Sequence, residues 1–287
     1  MPKPGGTTMD IALAFDGNYG PHVHSLVESL LEHHRAGELS FWFLTAADVS
    51  PELETALRRQ IGNRGRAGFL RARDTELDGL PLSTDDEFAY VSTATYLRLQ
   101  LPHLVPAGVD RLLYLDCDVL CTGPVDELTE VDLRGNTVAA VGDPYARRLC
   151  DMEGLPGLAD CPDLDPRARY FNAGVLLIDV AGWLDGEVTS RCLDYIHRHS
   201  AQTRFLEQDA LNHTLYGKWL RMDKRWNHAM CSRLETSMGG KLSDATLIHQ
   251  IGPLKFWHAD YPDGDRKALY ASYAEKARVA VEAAGPA

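Results

Sequence analysis

The chain has 287 residues, 45% of them hydrophobic, and a formal charge of −12. That supplies the core of one large domain, and the acidic balance argues against a nucleic-acid groove or broad attachment to anionic lipid, both of which need a basic surface. Six cysteines (Cys117, Cys121, Cys150, Cys161, Cys192 and Cys231) form no Cys-x-x-Cys pair and read as buried, reduced thiols of a cytoplasmic protein rather than as a zinc site.

The first residues carry no apolar signal core, and no stretch approaches the length of a membrane span. Residues 1–8 are expected to be a disordered lead-in, with the fold beginning near Met9. Ile11 to Phe15 is a short apolar strand that ends in the turn-rich set Asp16-Gly-Asn-Tyr19. Pro21 suits the first turn of a helix whose apolar face is Leu26, Val27, Leu30 and Leu31, with Gly37 as its end. Leu39 to Leu44 is a second strand, Pro51 to Ile61 a second helix, and Gly68 to Arg71 a third strand. This alternation predicts an α/β fold with a mainly parallel central sheet covered on both faces, and in such sheets ligands sit at the carboxyl ends of the strands.

Asp85-Asp86-Glu87 reads as a solvated loop. Ser92 to Leu101 reads as a helix that turns Tyr96, Leu97 and Leu101 inward and carries Arg98; a lone Arg on a helix is usually a surface charge, but this helix leads into the central motif. That motif is Arg111-Leu-Leu-Tyr-Leu-Asp-Cys-Asp-Val-Leu120. Leu112 to Leu115 has the pattern of a strand buried on both faces, and Asp116 and Asp118 follow at once. On an extended segment residues i and i+2 project to the same side, about 6.6 Å apart. Two carboxylates at about 5 Å repel by roughly 3 kcal/mol at an effective dielectric of about 20. A divalent cation reverses that sign, and oxygen-preferring Mn²⁺ or Mg²⁺ suits such a pair. Asp at a strand end also serves as a turn former or helix cap.

Thr137 to Val141 is another β-like run, and the aperiodic segment from Tyr145 to Arg169, with Asp143 at its mouth, reads as a binding loop or a surface insertion. Val175 to Ile178 is strand-like, preceded by Asn172-Ala-Gly174, small residues where a backbone passes close to something. Trp183 to His199 reads as one helix, and Phe205 begins another with Glu207, Gln208 and Asp209 near its start, where acidic residues also suit the helix dipole. Ala245 to His249 is a late strand, and Arg266 to Ala284 closes the chain as a packing helix.

Taken in order, Ala14-Phe-Asp-Gly-Asn-Tyr19, Thr95-Tyr-Leu-Arg98, Leu113-Tyr-Leu-Asp-Cys-Asp-Val119, Phe171-Asn-Ala-Gly-Val175, Glu207-Gln-Asp209 and His249-x-x-Gly-x-x-Lys255 resemble glycosyltransferase family 8, the family of bacterial lipooligosaccharide galactosyltransferases and glycogenin. The resemblance runs from Met9 to about Asp260. It implies a single GT-A-like, Rossmann-related nucleotide-sugar domain over residues 9–260, with a helical extension over 261–287. It also implies Mn²⁺-dependent transfer of galactose or glucose from a UDP-hexose to an acceptor hydroxyl, with retention at the anomeric carbon. By the same resemblance Ala14, Asp16 and Asn18 contact uridine and ribose, and Arg98 reaches the donor sugar or diphosphate. Asp116, Asp118 and His249 ligate the metal, and Cys117 lies on the same donor-binding segment. Asn172 and Ala173 bound the sugar, and Gln208 sits beneath the anomeric carbon. Gly252 and Lys255 lie on a loop closing over the phosphates. Glu207, Gln208, Asp143 and Lys255 are the catalytic candidates.

Three departures from the family pattern stand out: Glu207 where Asp is common, Gly17 where a polar residue is common, and Phe256 where Pro is common. The acceptor is open: a glycan, a lipid-linked sugar or a small natural product. A nucleotidyltransferase that makes sugar nucleotides is expected to carry a glycine-rich basic loop near its N-terminus, which this sequence lacks. Two other readings compete. One is a UDP-sugar-binding protein without catalysis, kept alive by Glu207. The other is a haloacid-dehalogenase-type phosphatase with Asp116 as nucleophile, although its Asp-x-Asp strand usually opens the fold.

Overall fold

The computed structural model describes residues 8–34, 37–72, 79–81, 93–199, 202, 204–230 and 244–285. The lead-in up to residue 7, the acidic run Asp85-Asp86-Glu87, Ser92 and Cys231 lie outside these. Ten strands are described: β1 Thr8–Phe15, β2 Glu38–Thr45, β3 Gly65–Arg71, β4 Arg111–Leu115, β5 Val119–Cys121, β6 Val138–Gly142, β7 Phe171–Asp179, β8 Trp219–Arg221, β9 His228–Met230 and β10 Leu247–Gln250. The α-helices are α1 Gly20–His33, α2 Pro51–Ile61, α3 Leu101–Leu104, α4 Val180–Asp185, α5 Val188–His199, α6 Glu207–Thr214 and α7 Asp265–Ala283.

Seven strands form one sheet in the order β3-β2-β1-β4-β7-β6-β8. Its pairings are parallel except for β4 with β7 and β6 with β7, so the sheet is mainly parallel, as expected. Strand alternation divides the core. Leu112 and Tyr114 of β4 face one apolar layer with Cys192 of α5 and Leu211 of α6, while Leu113 and Leu115 face another with Leu26 of α1 and Leu57 of α2. Burial of each of these leucines is worth about 1.5–3 kcal/mol. The order reverses at β1, which stands between β2 and β4, and crevices at the carboxyl ends of strands form at such reversals.

A second sheet, β5-β10-β9, lies beyond the end of β4. β10 runs antiparallel to β5, with His249 opposite Val119, the residue after Asp118. This pairing brings the late His next to the central motif. α7 packs against α1, where Tyr273 and Tyr270 meet His33 and His22 through hydrogen bonds of 2.9 and 2.7 Å. The His22 ring stacks on Trp257 at 3.9 Å between centroids.

Several expectations are corrected. Thr93–Gln100 is a 3-10 helix followed by the single turn of α3, rather than one α-helix, and Pro102 sits in that first turn. Trp183 to His199 is not one helix: α4 and α5 are separated at Gly186-Glu187, where Glu187 takes a φ of 49°. The first helix stops at His33, before Gly37, which instead turns with φ 81° into β2. β7 begins four residues earlier than its apolar run and takes in Asn172-Ala-Gly174, and β3 begins at Gly65. Among the described cysteines Cys117, Cys121 and Cys192 are buried, Cys161 is half-buried and Cys150 is exposed, all as free thiols. No described helix is long and apolar enough to cross a membrane.

Candidate functional site

A cleft of about 230 Å³ opens where β1 and β4 end. Asp16, Arg98, Asp116, Asp118, His249 and Lys255 line it. Asp116 and Asp118 do not stand on an extended strand. β4 stops at Leu115, and residues 116–118 form a turn closed by Val119 N–H donating to Asp116 O at 3.2 Å. The turn is anchored on both sides: Asp116 N–H donates to Gly174 O at 2.8 Å, and Gln250 N–H donates to Asp118 O at 3.0 Å. The carboxylates converge because of this turn, not because of strand alternation.

One atom of each of three side chains is tied back while another faces the shared centre. Asp116 Oδ1 accepts from the Tyr114 hydroxyl at 2.5 Å and lies 3.0 Å from Arg98 Nη2. Asp118 Oδ2 is held by Lys255 Nζ, and His249 Nδ1 meets Asn227 Oδ1 at 2.9 Å. Asn227 is oriented by its own Nδ2, which donates to Asn172 Oδ1 at 2.8 Å, so an amide oxygen faces the ring. The His249 proton therefore sits on Nδ1, and Nε2 presents a lone pair. Nε2 lies 3.2 Å from Asp118 Oδ1 and 3.7 Å from Asp116 Oδ2. Asp118 Oδ1 is buried without a hydrogen-bond partner. Lone pairs facing one another at such distances call for a cation or a proton between them. Two carboxylate oxygens and one imidazole nitrogen, all within 4.8 Å of one another, are a donor set that fits a small divalent ion such as Mn²⁺.

Backbone space makes this possible. A Cβ on Gly174 would stand 2.2 Å from His249 Cε1 and 2.8 Å from Asp116 Oδ2. Buried Asp118 is held below the usual carboxylate range: burial alone would raise it, but the ammonium of Lys255 more than offsets that.

A second network adjoins the first. Asp143 Oδ1 accepts the N–H groups of Tyr145 and Ala146 at 2.8 and 2.9 Å, while Oδ2 accepts from Asn172 Nδ2 at 3.0 Å and Gln208 Nε2 at 3.3 Å. Gln208 Oε1 accepts from Ala173 N–H at 2.9 Å. The Tyr170 hydroxyl, 3.4 Å from Gln208 Nε2, donates to Asp209 Oδ1 at 2.7 Å. Asp209 Oδ2 accepts from the Arg204 and Phe205 N–H groups ahead of α6. Glu207 is buried and lies 3.3 Å from Arg98 Nη2; burial raises its carboxyl to about 6 against the pull of Arg98 and Thr95.

Of the residues singled out in the sequence, Ala14, Cys117, Asp143, Asn172, Glu207, Gln208 and Gly252 line the cleft with the six charged or ligating groups above. Two do not. Asn18 is exposed, with its N–H on Asp16 Oδ1, and Ala173 is buried with its N–H on Gln208 and its C=O on Arg98 Nη1. Arg98 is no surface charge: only 8% of it is exposed, and it stacks over the Tyr114 ring. Sequence reading missed Tyr114 and Asn227, which orient Asp116 and His249. Tyr114 looked like one more apolar strand residue, and Asn227 lies in a short 3-10 turn with no periodic pattern.

Gly174→Ala is expected to push His249 away from the two carboxylates, weakening Mn²⁺ binding at least tenfold by calorimetric titration. The forced contact also costs about 1–3 kcal/mol of stability. A second expectation concerns pH. Burial pushes Asp209 from 3.8 up to about 6, despite the Tyr170 hydroxyl and the Phe205 and Arg204 N–H groups, which favour the anion. A carboxyl raised by folding costs stability when ionised; the cost is absent below about pH 3.8 and complete above about pH 6. From pH 7 to pH 4, wild type should gain on the order of 2–3 kcal/mol relative to Asp209→Asn, measured by urea unfolding. An unchanged gap between the two proteins would refute the assignment.

The model of glycosyl transferase family 8 matches residues 10–261. General stress protein A of Bacillus subtilis (strain 168) is 26% identical over 281 residues, covering 92% of this chain and 93% of that protein. A lipopolysaccharide 1,2-glucosyltransferase of Escherichia coli (strain K12) is 28% identical over 263 residues, covering 88% and 75%. The crystal structure of the galactosyltransferase LgtC in complex with donor and acceptor sugar analogues superimposes with a TM-score of 0.78 at 25% identity, covering 93% of this chain and 95% of that one. The fold is thus the GT-A-like one expected, and the chain belongs to glycosyl transferase family 8.

Proposed function

We propose that this glycosyltransferase moves a hexose, galactose or glucose, from a UDP-sugar to an acceptor hydroxyl with retention at the anomeric carbon, and that it works with a divalent cation, Mn²⁺ before Mg²⁺. The observation that carries this reading is the convergence of Asp116 Oδ2, Asp118 Oδ1 and His249 Nε2, each on a side chain whose other polar atom is already engaged. The hexose is supported by the glucosyl- and galactosyltransferases among its relatives. Family membership sets the phosphatase reading aside, and the binding-only reading is left to the activity test below.

Asp116, Asp118 and His249 would hold the cation, which supplies Lewis-acid stabilisation of charge on the departing diphosphate. Arg98 and Lys255 bring positive charge to the same cleft. Ala14 and Asp16, at the carboxyl end of β1, with Asn18 beside them, fall to the uridine and ribose. Asn172 bounds the sugar, Ala173 behind it holds Gln208 and Arg98 in place through its backbone, and Glu207, one methylene longer than the common Asp, bears on which hexose fits. Gly252, with φ 86°, lets the loop after β10 turn toward the cleft, where a closed segment keeps water from the donor.

The reaction breaks the bond between the anomeric carbon and the diphosphate oxygen and makes one from that carbon to the acceptor oxygen. The acceptor proton passes to the departing phosphate oxygen on the same face. Gln208 has no ionisable group and is a poor nucleophile. Its amide is anchored through Ala173 N–H and Asp143, so it orients the sugar rather than attacking it. Asp143, with both oxygens engaged by protein donors, fixes Gln208 and Asn172. The acceptor, a glycan, a lipid-linked sugar or a small natural product, is assigned to the part of the cleft lined by Tyr145, Met152 and Phe205. A cytoplasmic setting, where thiols stay reduced, suits the free cysteines.

A panel of UDP-sugars incubated with Mn²⁺ should reveal one hexose donor by slow hydrolysis. EDTA should stop it, and Mn²⁺ should restore it better than Ca²⁺. Asp118→Asn should fold normally and lose at least a hundredfold in rate; full activity in that variant would end the metal assignment. Gln208→Ala should retain measurable transfer. Complete loss with unchanged donor binding would point to a covalent intermediate instead.

A further inference from the structure

The two carboxylates of the turn after β4 each have a resident cation. Arg98 Nη2 stands 3.0 Å from Asp116 Oδ1, and Lys255 Nζ lies 2.5 Å from Asp118 Oδ2. The two cations are held very differently. The Arg98 fork is committed on several sides: Nε donates to Thr95 O, Nη1 to Ala173 O and Nη2 to Thr95 Oγ1, and the guanidinium lies over the Tyr114 ring at 4.8 Å. Lys255 is a point charge on a flexible stem. It is 4% exposed, donates to Gln250 O at 2.9 Å, and stands on the loop after β10, three residues beyond Gly252 with its φ of 86°. Of the two, Lys255 is the one that can change partners.

We propose that Lys255 is an exchangeable counter-ion: it neutralises Asp118 in the donor-free protein and releases it when a diphosphate gives the ammonium another anion. This rests on the metal reading above. While Lys255 holds Asp118, a divalent cation at that carboxylate meets a buried like charge, and bare Mn²⁺ binds weakly. Diphosphate draws the ammonium off and frees the carboxylate, so nucleotide and cation load together. Such coupling is reciprocal: whatever factor the diphosphate adds to cation affinity, the cation adds to diphosphate affinity. The opposite role is also chemically available. A lysine that merely orients Asp118, as hydrogen-bonding partners of metal ligands commonly do, would strengthen cation binding rather than oppose it. The two roles differ in the sign of one measurement.

That measurement is the affinity for Mn²⁺, titrated calorimetrically with the full chain, alone and in the presence of UDP. Lys255→Met is expected to bind Mn²⁺ alone at least tenfold more tightly than wild type, and to show a severalfold smaller gain on addition of UDP. Lys255→Gln, which keeps a polar head without charge, should move the same way and covers the case in which the methionine variant does not fold. If wild type binds Mn²⁺ with UDP but neither variant gains affinity for Mn²⁺ alone, the exchange is wrong and Lys255 is an orienting group. If wild type binds no Mn²⁺ even with UDP, the metal reading itself falls, and the exchange with it.

Discussion

Two carboxylates placed in one buried turn repel each other, and much of the polar architecture of this protein answers that constraint. Arg98 and Tyr114 stand behind Asp116, Lys255 stands behind Asp118, and His249 faces both. Each partner comes from a different part of the fold: the 3-10 helix before β4, β4 itself, the loop after β10, and β10. The small sheet exists at this point to set His249 opposite Val119. Gly174 on β7 leaves the space in which imidazole and carboxylate meet.

Asn172 joins this arrangement to the second one. Its Oδ1 accepts from Gly174 N–H and from Asn227, which orients His249, while its Nδ2 donates to Asp143, which orients Gln208. One amide therefore couples the position of the proposed metal ligands to that of the glutamine assigned to the sugar. A buried network of this kind is rigid only when every member is satisfied. That explains why the α6 end is pinned by Asp209, the Tyr170 hydroxyl and two backbone N–H groups ahead of the helix.

The apolar strands were readable because their signal is local: Leu112 to Leu115 is an unbroken run, and the structure buries all four. The importance of Asp116 and Asp118 was equally readable, but the reason offered, projection from an extended strand, was wrong. A three-residue turn brings them together, and turns of that length have no period to read. β5, β8 and β9, three residues each, were invisible for the same cause. The break between α4 and α5 escaped because apolar spacing continues across Gly186-Glu187 while the backbone does not. Arg98 could not be placed from composition: its burial depends on Asp116 and Glu207, one of which lies more than a hundred residues away. Only the ordered succession of motifs, rather than any single one, made the site legible as a whole.

The stacking of His22 on Trp257 has a use outside catalysis. Trp257 lies two residues beyond Lys255, and its indole is packed face to face with an imidazole from α1, at 7° between planes. Contact of that kind sets the emission of an indole. The loop that carries Lys255 therefore bears an indole of its own, one of five tryptophans in the chain, and the difference in emission between the protein and a Trp257→Phe variant isolates its signal.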